Sequence, residues 1–179
     1  MSAFEELVTA EGETVSVFRN ATSVDDPSLL EEHARRVGDA ALDFVLDRFA
    51  NLASARVVVA PDQTPAEVAA NVRNLATLLA VLGFCLDTRV AETGAGGLAV
   101  TFVAPANYWG LRCLEKSPLS KRPLANDFGA KIVGAYLARC GAGARARAAT
   151  TFDATSYTHT FALGARTPER STARPPAYS

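Results

Sequence analysis

The chain has 179 residues, 49% of them hydrophobic and 21% charged, which suffices for one packed domain with tails and does not fit a disordered protein. Cys85, Cys113 and Cys140 lie far apart with no C-x-x-C, and His33 and His159 are the only histidines. A zinc site is therefore not expected, and the cysteines read as buried thiols of a reducing compartment.

The first residues, MSAFEELVTAEGE, are acidic and lack an apolar signal core, and no run approaches the length of a membrane span. Neither a secretory signal nor a membrane association is expected. The net charge of −1 conceals an asymmetry. Residues 1–53 hold 11 acids and 4 bases (−7), residues 54–127 hold 6 and 7 (+1), and residues 128–179 hold 2 and 7 (+5). An acidic front and basic rear suit head-to-tail self-association or an anion held by the rear half; uneven surface charge on a monomer is the plain alternative.

Residues 1–26 show no helical period. Thr14–Phe18 alternates like a short strand, and the segment reads as an N-terminal arm, either disordered or reaching a neighbouring subunit. Pro27 suits a first helical turn, and Ser28-Leu-Leu-Glu31 has the form of a capping box. Leu30, Ala34, Val37, Ala41, Phe44, Val45, Phe49 and Leu52 follow at helical spacing. Gly38 is expected to weaken this helix by roughly 1 kcal/mol relative to Ala.

Arg56–Ala60 is β-branched, a short strand or an extended connector. Thr64-Pro-Ala-Glu67 starts a second helix, with an apolar stripe of Val68, Val72, Leu75, Leu79 and Leu82 ending at Gly83. Arg73 stands at the edge of that stripe, where it either reaches water or is drawn inward by a partner. Thr93-Gly-Ala-Gly-Gly97 is rich in glycine, but a strand-like Leu98–Val103 follows where a phosphate cradle needs a helix, so it reads as a turn.

Asn107 is placed to cap a short helix through Leu114, which Pro118 ends. A longer helix carries Leu124, Phe128, Ile132, Ala135 and Tyr136 on one face and closes at Gly141. The Asp127–Phe128 pair at its start sets a carboxylate beside a buried ring, which calls for a cation; Arg112, Lys121 and Arg122 lie close before it. In Thr151–Leu163 the residues Tyr157, His159, Phe161 and Leu163 share one parity, as in a strand, yet a helical domain offers it no evident partner. An extended arm laid on another surface explains the pattern equally well. Residues 166–179, with Pro168, Pro175 and Pro176, read as a tail.

The expected architecture is mainly α: an N-terminal arm (1–26), a compact helical core (27–149) with few short strands, and an extended C-terminal arm and tail (150–179). No G-x-S-x-G, nucleophile–base pair or paired carboxylates stand out, so no catalytic residue, cofactor or enzymatic activity is assigned.

The stretch Pro105-Ala-Asn-Tyr-Trp109, a basic cluster, and Arg122-Pro-Leu-Ala-Asn-Asp-Phe128 together resemble the signature of flexible filamentous plant-virus coat proteins of the potexvirus and potyvirus type. Arg122, Ala125, Asp127 and Phe128 match the basic residue, second alanine, aspartate and final phenylalanine of that pattern. Pro123 and Asn126 stand where the pattern has aromatic residues. Arg73, in N-V-R-N-L, occupies the place of the family's upstream helical arginine. Phe84-Cys-Leu-Asp-Thr-Arg89 also resembles a motif of rigid rod-shaped virus coats of four-helix type.

The resemblance implies a capsid protein that polymerises helically around single-stranded genomic RNA, with arms docking on neighbouring subunits, in the virion and, during assembly, the host cytoplasm. It implies Arg73 and Arg122 at phosphates and Asp127 holding a guanidinium, with Lys121, Arg112 and Lys131 as further cations. A helical adaptor binding host proteins is the alternative outside that class.

Overall fold

A computed structural model describes residues 27–94, 96–106, 108, 112, 128–142 and 149–163. They form helices α1 (Pro27–Arg48), α2 (Pro65–Val81) and α3 (Phe128–Arg139), and strands β1 (Asp87–Glu92), β2 (Leu98–Val103), β3 (Ala149–Phe152) and β4 (Ser156–Phe161). A single 3-10 turn, Ala53–Ala55, lies between α1 and α2. The four strands make one antiparallel sheet in the order β1-β2-β4-β3.

The expected mainly helical class is therefore wrong: the fold is an α/β mixture of three helices and a four-stranded antiparallel sheet. The correction turns on residues 156–161. Read as an arm for want of a partner, they are an interior strand between β2 and β3. Their partner lies far back in the chain, with Thr101 opposite Thr158 and Phe102 opposite Tyr157. The parity pattern is that of a strand with one buried face, since Tyr157, His159 and Phe161 are all at most 1% exposed. The arm expected over residues 1–26 lies outside the described residues, as do residues 164–179.

Local sequence explains most element boundaries. Helix α2 starts on a full capping box: the Thr64 side chain accepts from Glu67 N, and the Glu67 carboxylate accepts from Thr64 N at 2.7 Å. It ends at Gly83, whose φ of 83° favours glycine. Helix α1 begins at Pro27, the proline expected in its first turn. The Thr93–Gly97 stretch is the hairpin turn joining β1 to β2, closed by Thr93 N on Gly97 O at 2.8 Å. Helix α3 closes at Gly141 (φ 65°), with Ala142 N reaching back to Leu137 O at 3.1 Å.

Helix α3 is the centre of the packing. Phe128, Ala130, Ile132, Val133, Tyr136 and Leu137 are all buried, so it is apolar nearly all round and covered on both sides. On one side it meets α1 so closely that a Cβ added to Gly38 would sit 2.4 Å from Lys131 O. On the other it meets the sheet, where a Cβ on Gly129 would lie 2.7 Å from the Phe102 ring. Phe84 and Phe102 pack edge to face at 5.3 Å between centroids, and Tyr157 joins Phe102 at the same separation. Helix α2 lies against β1 and the flank of α3.

Candidate nucleic-acid interface

The cations and the carboxylate proposed for RNA divide into those the structure describes and those it does not. Lys121, Arg122 and Asp127 lie outside the described residues. Arg73, Arg112 and Lys131 are described, and they stand in three different environments.

Arg73 projects from the outer side of α2, next to the fully buried Val72, and its side chain is 48% exposed. Its Nη2 lies 3.4 Å from Oε1 of Glu92 at the end of β1, and that carboxylate is 65% exposed. Such a pair, long and solvated, is worth less than about 1 kcal/mol. The helix holds the backbone rigid while the guanidinium keeps donors to spare.

Arg112 stands at the opposite edge of the sheet, its guanidinium 5.7 Å from the centroid of the Phe152 ring on β3. The stacking holds the cation over an aromatic face. Strands β1 and β3 are three strand spacings apart, roughly 14 Å, so Arg73, paired with Glu92 of β1, and Arg112, stacked on Phe152 of β3, stand by different edges of the sheet. They do not form one phosphate pocket. Lys131 lies within α3 at 3% exposure, and its backbone carbonyl faces Gly38 of α1. It is a core residue of the described structure, not a surface cation.

The most developed ion-pair cluster escaped the sequence reading altogether. Arg139, at the end of α3, sets Nε 3.1 Å from Asp39 Oδ1 and forks onto both oxygens of Asp43 at 2.5 and 3.1 Å. Its Nη2 also donates to the Asp39 carbonyl at 3.2 Å. The guanidinium hydrogen bond holds the Asp43 carboxyl below its ordinary range, with the Arg139 charge adding to the effect. Asp39 and Asp43 stand one helical turn apart on α1, which was the available signal, but nothing local indicates which arginine meets them. The cluster clamps α1 to α3.

A second polar cluster anchors the connector before α2. The Tyr136 hydroxyl donates to Gln63 Oε1 at 2.9 Å, Asn71 Nδ2 donates to the same oxygen at 2.9 Å, and Gln63 Nε2 donates to Val58 O at 2.7 Å. Burial pushes the Tyr136 phenol well above its usual range, so it is a permanent donor. Burial, helped by the charge of Asp87, also pushes the Cys85 thiol up to about 11, which leaves it protonated and unreactive near neutral pH. Nδ1 of His159 meets the Thr150 hydroxyl at 2.8 Å inside the aromatic core. Among the described residues no group of His, Cys, Asp and Glu could hold a metal ion. No described helix is long and apolar enough to cross a membrane.

Compared with known proteins, the chain matches no family model, no curated protein and no solved structure.

Proposed function

We propose that this chain is a viral coat protein that holds single-stranded RNA by its phosphates and assembles along it by contact between copies of itself. The observation that carries the reading is Arg73: the residue that occupies the place of the coat family's upstream arginine stands on a rigid helix, half exposed, beside a weak and solvated carboxylate partner. A phosphate can replace Glu92 at little cost, because an exposed ion pair at 3.4 Å contributes so little. The near-zero net charge agrees with a subunit that packs against copies of itself, where a few cations per subunit add along one strand. The resemblance over residues 105–128 supplies the rest of the site, through Arg122 and Lys121 at phosphates and Asp127 as a positioning carboxylate. The proposal does not extend to the helical core that the resemblance implies, which the sheet excludes.

The test is retention of long single-stranded RNA of unrelated sequences as salt is raised. Log affinity is expected to fall against log salt with a slope of about −0.7 for each phosphate neutralised. Arg73→Ala is expected to weaken all sequences by a similar factor and to make the slope shallower by about 0.7. If long single-stranded RNA is not bound at low salt and no filaments form with it, the coat reading is wrong and the protein-binding adaptor takes its place.

A further inference from the structure

Residues 56–60, Arg-Val-Val-Val-Ala, belong to no sheet, yet their backbone is held as a strand is held. Arg56 is extended (φ −62°, ψ 127°), and Pro61 favours the extended region for Ala60 as well. Along one edge, side chains replace a neighbouring strand. Asn74 Nδ2 donates to Arg56 O at 2.8 Å, Asn71 Oδ1 accepts from Val58 N at 2.8 Å, and Val58 O accepts from Gln63 at 2.7 Å and from Tyr136 at 3.2 Å. In extended backbone the N–H and C=O of one residue point the same way and alternate along the chain. Residues 56 and 58 therefore face α2 and α3, and residues 57 and 59 face away. No hydrogen bond reaches the backbone of Val57 or Val59 from the described residues. The Val58 and Val59 side chains are 44% and 36% exposed. This is a strand edge held by four side-chain contacts, with uncharged Val57 and Val59 outward, Arg56 exposed at its start and no strand partner among the described residues.

The sheet offers one matching edge. Strand β1 carries Asp87, Arg89 and Glu92, charges that guard an edge against pairing. Strand β3, Ala-Thr-Thr-Phe, has none of its own; the nearby Arg112 cation is held over the Phe152 ring. Asp153 N bonds Ser156 O, so by alternation Thr151 and Ala149 face β4, and the backbone groups of Thr150 and Phe152 point outward.

We propose that residues 56–60 of one copy add as a strand to the β3 edge of a second copy. The two edges are different surfaces of the same chain, so the contact is heterologous and leaves the pair with one free edge of each kind, one on each copy, which propagates an assembly. The inference deepens the self-association part of the proposed function and rests on that part alone, not on RNA binding.

Sedimentation of the full chain without RNA tests it. The wild type is expected to associate as concentration rises. Val59→Pro removes an outward N–H and leaves the bonds of residues 56 and 58 intact, and the Val58 N–H and C=O both bond on the same side, as in the extended backbone that precedes proline. Thr151→Lys places a charge on the β3 edge at an exposed position. Each is expected to weaken association by about tenfold or more, with a melting temperature within about 2 °C of wild type. Mixed with T151C chains, V58C chains are expected to form a disulfide if the added strand runs antiparallel, with Val58 opposite Thr151, and V59C chains if it runs parallel, as peptide mass spectrometry would identify.

A wild type that stays monomeric, variants that associate as wild type does, or V58C and V59C chains each coupling only to their own kind in place of T151C would each overturn the proposal. Should Val59→Pro fail to fold, Thr151→Lys and the cross-link decide alone. A long single-stranded RNA at low salt separates the two readings. If it is not bound while association persists, the coat reading fails and this contact stands; if it is bound and these variants change nothing, the contact fails and the coat reading stands.

Discussion

Two helical glycines, Gly38 and Gly134, give opposite predictions for the same substitution. In an isolated helix either one replaced by alanine gains about 1 kcal/mol. At Gly134 in α3 nothing lies within 4 Å of the added Cβ, so Gly134→Ala is expected to realise most of that gain. At Gly38 the Cβ would lie 2.4 Å from Lys131 O and 2.9 Å from Lys131 C. Both atoms are backbone, and no rotamer change relieves the contact. The helices must separate by about 1 Å, along the seam that also holds Arg139 to Asp39 and Asp43. Overpacking of this kind costs about 3 kcal/mol at the upper end, so the net loss for Gly38→Ala is about 2 kcal/mol after the propensity gain. For a chain of this size that lowers the melting temperature by about 4–8 °C, while Gly134→Ala raises it by about 2–4 °C. Thermal denaturation followed by circular dichroism measures both. If Gly38→Ala melts at or above the wild-type temperature, α1 and α3 do not cross at that residue and the packing described for α3 is wrong.

Tyr136→Phe removes a buried donor to Gln63 Oε1 and Val58 O and is expected to cost about 1–2 kcal/mol in urea denaturation, with the slope unchanged. The folded pKa of Asp43 is depressed, so the stability it contributes is present above its unfolded value and is lost as pH falls through the folded one. In Arg139→Ala the acid limb of the stability curve is therefore expected to flatten below about pH 4; an unchanged limb would argue that the Arg139–Asp43 fork is absent in solution. Cys85, its thiol raised to about 11, is expected to resist iodoacetamide at pH 7.5 in the folded chain and to label fully in denaturant, as peptide mass spectrometry would show. Deleting residues 150–179 removes an interior strand and with it Tyr157, His159 and Phe161, so the remaining chain is expected to show no cooperative melt. A sharp transition in that deletion would return β4 to the status of a dispensable arm.

What could be read from the sequence was local. The Thr64–Glu67 box, the Gly83 and Gly141 stops and the strand character of Leu98–Val103 each depend on residues within a few positions of one another, and each stands where expected. The fold class failed because a sheet is made by pairings that sequence neighbours do not encode. Strand β2 alternates between buried and half-exposed residues, which says that one face is covered but not that its second neighbour begins at Ser156. Gly38 shows the same blindness in a single residue: helix propensity marks it as a flaw, and only the proximity of Lys131 O makes it a requirement.

The candidate site was legible to a smaller extent, for a related reason. A cation's availability depends on what the tertiary fold places beside it. Arg73 at the stripe edge was open to two readings, and the fold decides for the solvent by setting β1 and Glu92, not the core, against it. Lys131 entered only as a further cation of the resemblance, and it lies buried on α3, the described helix covered from both sides, so it offers no surface cation. Arg139 drew no reading from the sequence, and it makes the closest ion pairs of the described structure because α1 presents two aspartates one turn apart. In each case the residue type fixed what chemistry was possible and the neighbour fixed which of it was used. The 56–60 connector extends that logic to the backbone: β-branched residues made an extended conformation favourable, and Asn71, Asn74, Gln63 and Tyr136, none of them within it, turned it into one satisfied edge and one open edge.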